Sequence, residues 1–151
     1  MLKDVLAGAG DRHVLVKPHP RASNAEDIDA VIKLARHDSR LVLTDANVHD
    51  MLAASCASVS INSTVVLEGF LHRTPAILYG KSDFHHISEN VTRLGGFDLA
   101  LEGALQRSGG YAQYLTWYFR HNCLAIEAQN LESQIWRIFT TAGFGRDRFV
   151  R

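Results

Sequence analysis

His13-Val14-Leu15-Val16-Lys17-Pro18-His19-Pro20 is the stretch that decides the fold. Its apolar first half is typical of a buried strand, and a helical pattern follows it. The two prolines restrict φ and favour extended geometry in the residues before them, so the connecting loop is stiff. Lys17 and His19 can both donate hydrogen bonds to a phosphate. Open α/β sheets bind ligands at the carboxyl ends of their strands, so this stretch predicts a phosphate or nucleotide-phosphate site. The alternative is a strand-to-helix turn with a surface lysine and histidine.

Strands and helices alternate along the rest of the chain. Strands are predicted at 13–17, 40–44, 57–61, 75–79 and 97–101. Ser23 and Glu26 form an S-x-x-E capping box, which predicts a helix from this point to about His37. Further helices are predicted at 2–8, 48–54, 63–72, 111–121 and 124–141, and a loop is predicted at 81–96. Repeated strand–helix units with short links indicate a parallel sheet with helices on both faces. We therefore expect a three-layer, Rossmann-like α/β domain at 1–142 with a helical C-terminus and a tail at 143–151.

The composition excludes several classes of protein. The chain has 151 residues, which suits one domain with a single core. Its 16 basic and 16 acidic residues cancel, which argues against a nucleic-acid partner. Its two cysteines show no metal or redox spacing and fit a reducing cytosol. No apolar run approaches the roughly 20 residues of a membrane span. We expect a cytoplasmic domain without a membrane span.

Asn62-Ser63-Thr64 begins a second motif, at the start of the helix predicted at 63–72. Asn62 or Ser63 is a suitable N-cap residue. The helix N-terminus has free backbone N–H groups and the positive end of the helix dipole, which suit a phosphate. This motif predicts a second set of phosphate contacts.

One polar stripe runs along this otherwise apolar helix. Thr64, Glu68 and His72 are spaced at i, i+4 and i+8. A carboxylate on a mostly apolar helix needs a partner. That partner is either His72 or Arg73, in a local salt bridge, or a pair of ribose hydroxyls.

Together these motifs carry a family resemblance. The chain has a strand that ends in K-P-H-P, then, about forty residues further on, an S-x-N-S-T-x-x-x-E segment, and then a strand that ends in glycine. This order of motifs resembles the C-terminal nucleotide-binding lobe of a GT-B glycosyltransferase. Over roughly residues 13–120 the chain is similar to the bacterial capsule polysaccharide biosynthesis/export family, which includes the β-Kdo transferases. The resemblance places the family's His-Pro motif on His19-Pro20, its phosphate motif on Ser63 and Thr64, and its ribose-binding glutamate on Glu68.

The resemblance implies a role for each residue. Transfer of a sugar from a nucleotide leaves a charged phosphate, and donors aimed at that charge lower the barrier. The implied catalytic residue is His19, which hydrogen-bonds or protonates the departing phosphate. The implied donor is a CMP-sugar, with no metal and no resident cofactor. The implied nucleotide-binding residues are Lys17, His19, Pro20, Asn62, Ser63, Thr64 and Glu68.

The resemblance also implies partners. A GT-B enzyme has two lobes, and this chain has room for one, so we expect an isolated chain that binds its donor but transfers nothing. The acceptor is a polysaccharide or glycolipid, and the location is cytoplasmic or peripheral at the inner membrane. An N-terminal lobe, or a second copy, would cover an apolar surface. The predicted aromatic face is either core or part of that surface, and consists of Tyr111, Tyr114, Leu115, Tyr118 and Phe119.

Other functions stay open at this level. The chain could be a non-catalytic nucleotide or phosphosugar-binding module, a CDP-glycerol phosphotransferase-like protein or half of a sugar-nucleotide epimerase-like enzyme. Asp45-Ala46-Asn47 either caps the helix at 48–54 or contacts the base through its backbone. Asp83, His85 and His86 are either exposed loop residues or a small metal site.

Overall fold

A computed structural model describes residues 1–19 and 24–149. The chain forms two compact units, Met1–Ala112 and Gln113–Arg151. The sequence-based boundary between a domain at 1–142 and a tail at 143–151 stays a prediction.

The first unit alternates helices and strands in the predicted order as far as residue 78. Beyond it, a short strand at Glu89–Asn90 lies within the segment predicted as a loop at 81–96, and a helix occupies the segment predicted as a strand at 97–101. Its helices are α1 (Leu2–Gly8), α2 (Ala25–Ala35), α3 (Val48–Ala54), α4 (Val65–Leu71) and α5 (Phe97–Gln106). Its strands are β1 (Val14–Val16), β2 (Leu41–Leu43), β3 (Ser58–Ser60), β4 (Ala76–Leu78) and β5 (Glu89–Asn90). A 3-10 turn at His85–Ile87 precedes β5.

Every strand pairing in the described residues is parallel. β1 pairs with β2, and β3, β4 and β5 form a second sheet in that order. Helices lie on both sides of the parallel strands, which confirms the predicted α/β class. The registers place Leu15 opposite Val42, Val59 opposite Ile77 and Leu78 opposite Asn90.

The strands of the described residues do not form the single hydrogen-bonded sheet that the sequence predicts. In the described part of the chain, the strands form one sheet of two strands and one of three. Val14 of β1 and Val59 of β3 nevertheless pack against the same apolar cluster. Side-chain packing therefore joins the two sheets where backbone pairing stops.

That cluster lies among α1, β4 and α5. Its buried members are Val5, Ala9, Ile77, Phe97, Ala100, Leu101 and Ala104. Gly8 allows α1 to approach α5 closely, because a Cβ atom at this position would lie 2.8 Å from the backbone nitrogen of Asp98. A larger residue at Gly8 would push the two helices apart.

The strand predicted at 97–101 is wrong, because these residues begin α5. Short apolar runs fit either a strand or a buried helix. The buried positions decide the question: Phe97, Ala100, Leu101 and Ala104 follow helical spacing, while Leu99 is 65% exposed. The predicted segment of five residues ends at Leu101, and it is too short to show the helical spacing that continues to Ala104.

The start of α2 also differs from the prediction. Its N-cap is Asn24, whose side chain accepts a hydrogen bond from the Asp27 backbone at 2.7 Å. The predicted cap, Ser23, lies outside the described residues. The side chain of Asn24 performs the same task, because asparagine and serine oxygens both accept from the first helical turn.

Arg40 ties the start of β2 to the end of α1. Its guanidinium lies 2.6 Å from the Asp38 carboxylate and donates at 3.0 Å to the carbonyl of Leu6, and it also donates to the carbonyl of Gly10. The hydrogen bonds that the Asp38 carboxylate accepts from the side chain and the backbone N–H of Arg40 lower its pKa from 3.8 to about 2. The ionised carboxylate is therefore favoured in the folded chain.

We expect Asp38→Asn to lower the melting temperature near neutral pH, with a difference from wild type that shrinks as the pH falls. A depressed pKa contributes stability above the unfolded value, and this contribution is lost between about pH 4 and pH 2. Thermal denaturation at pH 2 to 7 measures the effect, with the exposed neighbour Ser39→Ala as control. A constant difference across this range would contradict the assignment.

The buried face of α6 is shorter than predicted. α6 spans Tyr111–Asn122, close to the predicted 111–121. Tyr111, Tyr114 and Leu115 are buried, but Phe119 is 48% exposed. The core alternative therefore holds for Tyr111, Tyr114 and Leu115, whereas Phe119 lies outside the core.

The last helix begins later than predicted. α7 spans Leu131–Thr141, rather than 124–141, and a 3-10 turn follows at Arg146–Arg148. Tight turns occupy the missing residues, since the Ala128 backbone donates to Ala125 and the Leu131 backbone donates to Ala128. Among the described residues, none of these helices has the length and apolar character needed to cross a bilayer.

Candidate functional site

Lys17 links the carboxyl ends of β1 and β2. Its ammonium donates to the carbonyl oxygens of Asp45 at 2.9 Å and Ala46 at 2.8 Å. A lysine ammonium has three donors, so one donor and the positive charge remain for an anion. His19 is exposed two residues later, and Pro20 lies outside the described residues.

The loop after β2 leads from Lys17 into α3. The Thr44 hydroxyl accepts from the Ala46 backbone at 3.1 Å, and the Asn47 side chain accepts from the His49 backbone at 2.8 Å. The alternative that this segment caps a helix is therefore confirmed, with Asn47 as the N-cap. Since the carbonyls of Asp45 and Ala46 already accept from Lys17, the loop has few backbone groups left for a base.

The loop after β3 is ordered by its own hydroxyl groups. Ser60 accepts from the Ser63 backbone at 2.9 Å, and Ser63 accepts from the Val65 backbone at 3.3 Å. Thr64 directly precedes α4, but its side chain makes no cap hydrogen bond; the hydroxyl that accepts from the first helical residue is that of Ser63, one of the two predicted caps. Asn62, Ser63 and Thr64 are all exposed. In this loop, these exposed side chains, rather than a series of free backbone N–H groups, are the groups that can hydrogen-bond to a ligand.

Gly80 lets this loop approach the end of β4. A Cβ atom at Gly80 would lie 2.9 Å from Cγ2 of Ile61 and 3.1 Å from its carbonyl oxygen. Only glycine fits at such a distance without a shift of the neighbouring loop. The glycine that ends the fourth strand therefore helps to place the Asn62–Thr64 segment.

Glu68 contacts a residue that the sequence did not indicate. Its Oε2 lies 3.6 Å from Nε2 of His49 on α3, and Nδ1 of His49 lies 3.1 Å from Nε2 of His72. The alternative of a local salt bridge to His72 or Arg73 is therefore wrong in the described residues, because the side chain that lies beside the Glu68 carboxylate is that of His49. The order of elements gave an indirect signal, since α3 and α4 flank one strand and can lie side by side.

Of the residues predicted to bind a nucleotide, the structure thus places Lys17 and Glu68 in two groups of contacts. The contacts of Ser63 described above are within its own loop and belong to neither group. One group is Lys17 with the loop at Asp45–Asn47, and the other is Glu68 with His49 and His72. α3 joins the two groups. The first can attract an anion, and the half-exposed carboxylate of the second can accept hydrogen bonds from hydroxyl groups.

A comparison with known protein families adds an independent observation. The chain matches the family described as "Capsule polysaccharide biosynthesis protein" over residues 1–88. The chain belongs to this family. The residues matched include both groups of the candidate site, so the family assignment covers the part of the chain that carries them. Neither a curated protein nor a solved structure matches the chain with significance.

Two other features lie apart from these groups. In the described residues, no set of three or more histidine, cysteine or acidic side chains is arranged to hold a metal ion. An open cavity of about 480 Å³ lies beside β5 and α5, and is lined by Glu89, Asn90, Val91, Thr92, Arg93, Gly96, Leu99 and Ala100. The lining contains none of the residues predicted to bind a nucleotide and lies entirely outside residues 1–88, the part that matches the capsule family.

Proposed function

We propose that this chain binds the nucleotide of a CMP-activated sugar, as the donor lobe of a capsular polysaccharide glycosyltransferase related to the β-Kdo transferases. One observation carries the proposal: the capsule family match over residues 1–88 includes the whole ordered set of motifs from Lys17 to Glu68. The parallel α/β arrangement is compatible with a GT-B lobe.

The phosphate would be bound by the cationic and hydroxyl groups at the ends of β1 and β3. Lys17 has a charge and one remaining donor, and the hydroxyls of Ser63 and Thr64 are exposed. His19 would donate to the phosphate oxygen as the bond to the sugar breaks. These groups act by stabilising charge that develops on the leaving group.

The ribose would be bound by Glu68. The contact of its carboxylate with His49, at 3.6 Å, is longer than a hydrogen bond, and its side chain is 43% exposed. The carboxylate therefore keeps acceptor positions for the two adjacent hydroxyls of a ribose. The sugar acceptor would be bound by a second lobe facing this one.

The chain is expected to bind CMP with a dissociation constant near the millimolar range, about 4 kcal/mol of binding free energy. One lobe encloses only part of the nucleotide, so much of the ligand stays in contact with solvent. Thermal shift and calorimetric titration should compare CMP, CDP, UDP, AMP and cytidine. CMP should bind most tightly and cytidine, which lacks the phosphate, more weakly.

The same panel separates the alternatives. Preferential binding of CDP would indicate a CDP-glycerol phosphotransferase-like protein, and preferential binding of UDP would indicate a sugar-nucleotide epimerase-like protein. Equal binding of all nucleotides, or binding of none, would refute the CMP-sugar proposal. Turnover of a CMP-sugar by this chain alone would show that no second lobe is needed.

A further inference from the structure

His49 belongs to the second group of the candidate site and follows the loop of the first group directly in the chain. It occupies the first turn of α3, and its backbone N–H is held by the Asn47 cap at 2.8 Å. The preceding loop is held in turn by Lys17. The backbone position of His49 is therefore determined by contacts that begin at the end of β1.

The imidazole ring of His49 has a contact on each side. Nδ1 lies 3.1 Å from Nε2 of His72, within hydrogen-bond distance. The arrangement that gives His49 an Nε2–H donor towards the Glu68 carboxylate is the one in which Nε2–H of His72 donates to Nδ1 of His49. With Nδ1 held in this way, Nε2 faces the Glu68 carboxylate at 3.6 Å. The ring orientation is therefore determined by His72, and the ring presents its second nitrogen to Glu68.

We propose that His49 is a positioning residue that orients the Glu68 carboxylate towards the ribose of the bound nucleotide. This inference rests on the proposed function, in which Glu68 accepts from the ribose hydroxyls. One carboxylate oxygen faces the imidazole, and the other acceptor positions remain open to the sugar. His49 acts through Glu68 and does not itself contact the ligand.

The expected effect is modest, because both side chains are about half exposed. His49→Leu should weaken CMP binding about two- to five-fold. His49→Gln should recover part of the loss, since the glutamine amide can place a donor near the position of the imidazole Nε2. His37→Ala, at an exposed histidine beyond the end of α2, should leave CMP binding unchanged.

A second ligand distinguishes positioning from a general structural role. Binding of 2′-deoxy-CMP, which has only one of the two adjacent hydroxyls, should be affected less by His49→Leu than binding of CMP. In a Glu68→Ala background, His49→Leu should cause no further loss, because the residue it orients is gone. Equal losses for both ligands, or additive losses in the double variant, would overturn the inference.

Failure of the inference can be separated from failure of the proposed function. If Glu68→Ala leaves CMP binding unchanged, the proposed ribose contact is wrong, and the role of His49 falls with it. If Glu68→Ala weakens CMP binding but His49→Leu has no effect, only the role of His49 is wrong. Tighter CMP binding by His49→Leu would show that the imidazole competes with ribose for Glu68, which also overturns the inference.

Discussion

Phe70→Ala is expected to lower the free energy of unfolding by about 3–5 kcal/mol, the largest effect we predict for a single substitution. Phe70 is 2% exposed, and its ring stacks on Tyr111 with centroids 4.7 Å apart and planes 8° from parallel. Alanine would remove this contact and leave a cavity that the surrounding side chains fill only in part. In a chain of this size, the melting temperature should fall by roughly 6–20 °C.

The neighbouring residue provides a matched control. Leu71 is on the same helix but is 65% exposed, so Leu71→Ala should change stability by no more than about 0.5 kcal/mol. Chemical denaturation of both variants, followed by circular dichroism, measures the difference. Similar losses for both would mean that Phe70 is not part of the core.

The second large effect concerns ligand binding. Glu68→Ala and His19→Ala should each remove about 1.5–3 kcal/mol of CMP binding free energy, because each deletes a hydrogen bond to or from a charged group. This is roughly a ten- to 150-fold weaker affinity. Starting from the millimolar range, such losses are best measured by ligand-observed NMR titration.

His19→Ala and Glu68→Ala should differ in whether the loss of affinity depends on the phosphate of the ligand. His19→Ala should weaken CMP binding but leave cytidine binding nearly unchanged, since cytidine lacks the group that His19 contacts. Glu68→Ala should weaken both, since both contain the ribose. If Glu68→Ala instead lowers the melting temperature and leaves CMP affinity unchanged, the contact of Glu68 with His49 is only structural.

The sequence predicted helices and strands correctly where a contact between residues close together in the chain determines the structure. The cap at Asn47 and the helix that follows depend on a side chain and a backbone group two residues apart, so no distant contact is needed to infer them. The segment at 97–101 failed for the opposite reason. Its short apolar run fits either a strand or a buried helix, and packing against α1, β4 and β5 selects the helix.

The sequence by itself determined the order of the strand–helix units through the fourth strand, the α/β class of the fold and the resemblance to the capsule family. Only the tertiary structure decided which side chains meet. Lys17 reaches carbonyl groups 28 and 29 residues away, and His49 reaches a histidine 23 residues away. These contacts depend on which helix follows which strand across the sheet and on side-chain direction, and residue spacing encodes neither. For that reason the motifs of the candidate site could be read in the sequence, but the link from the end of β1 to Glu68 could not.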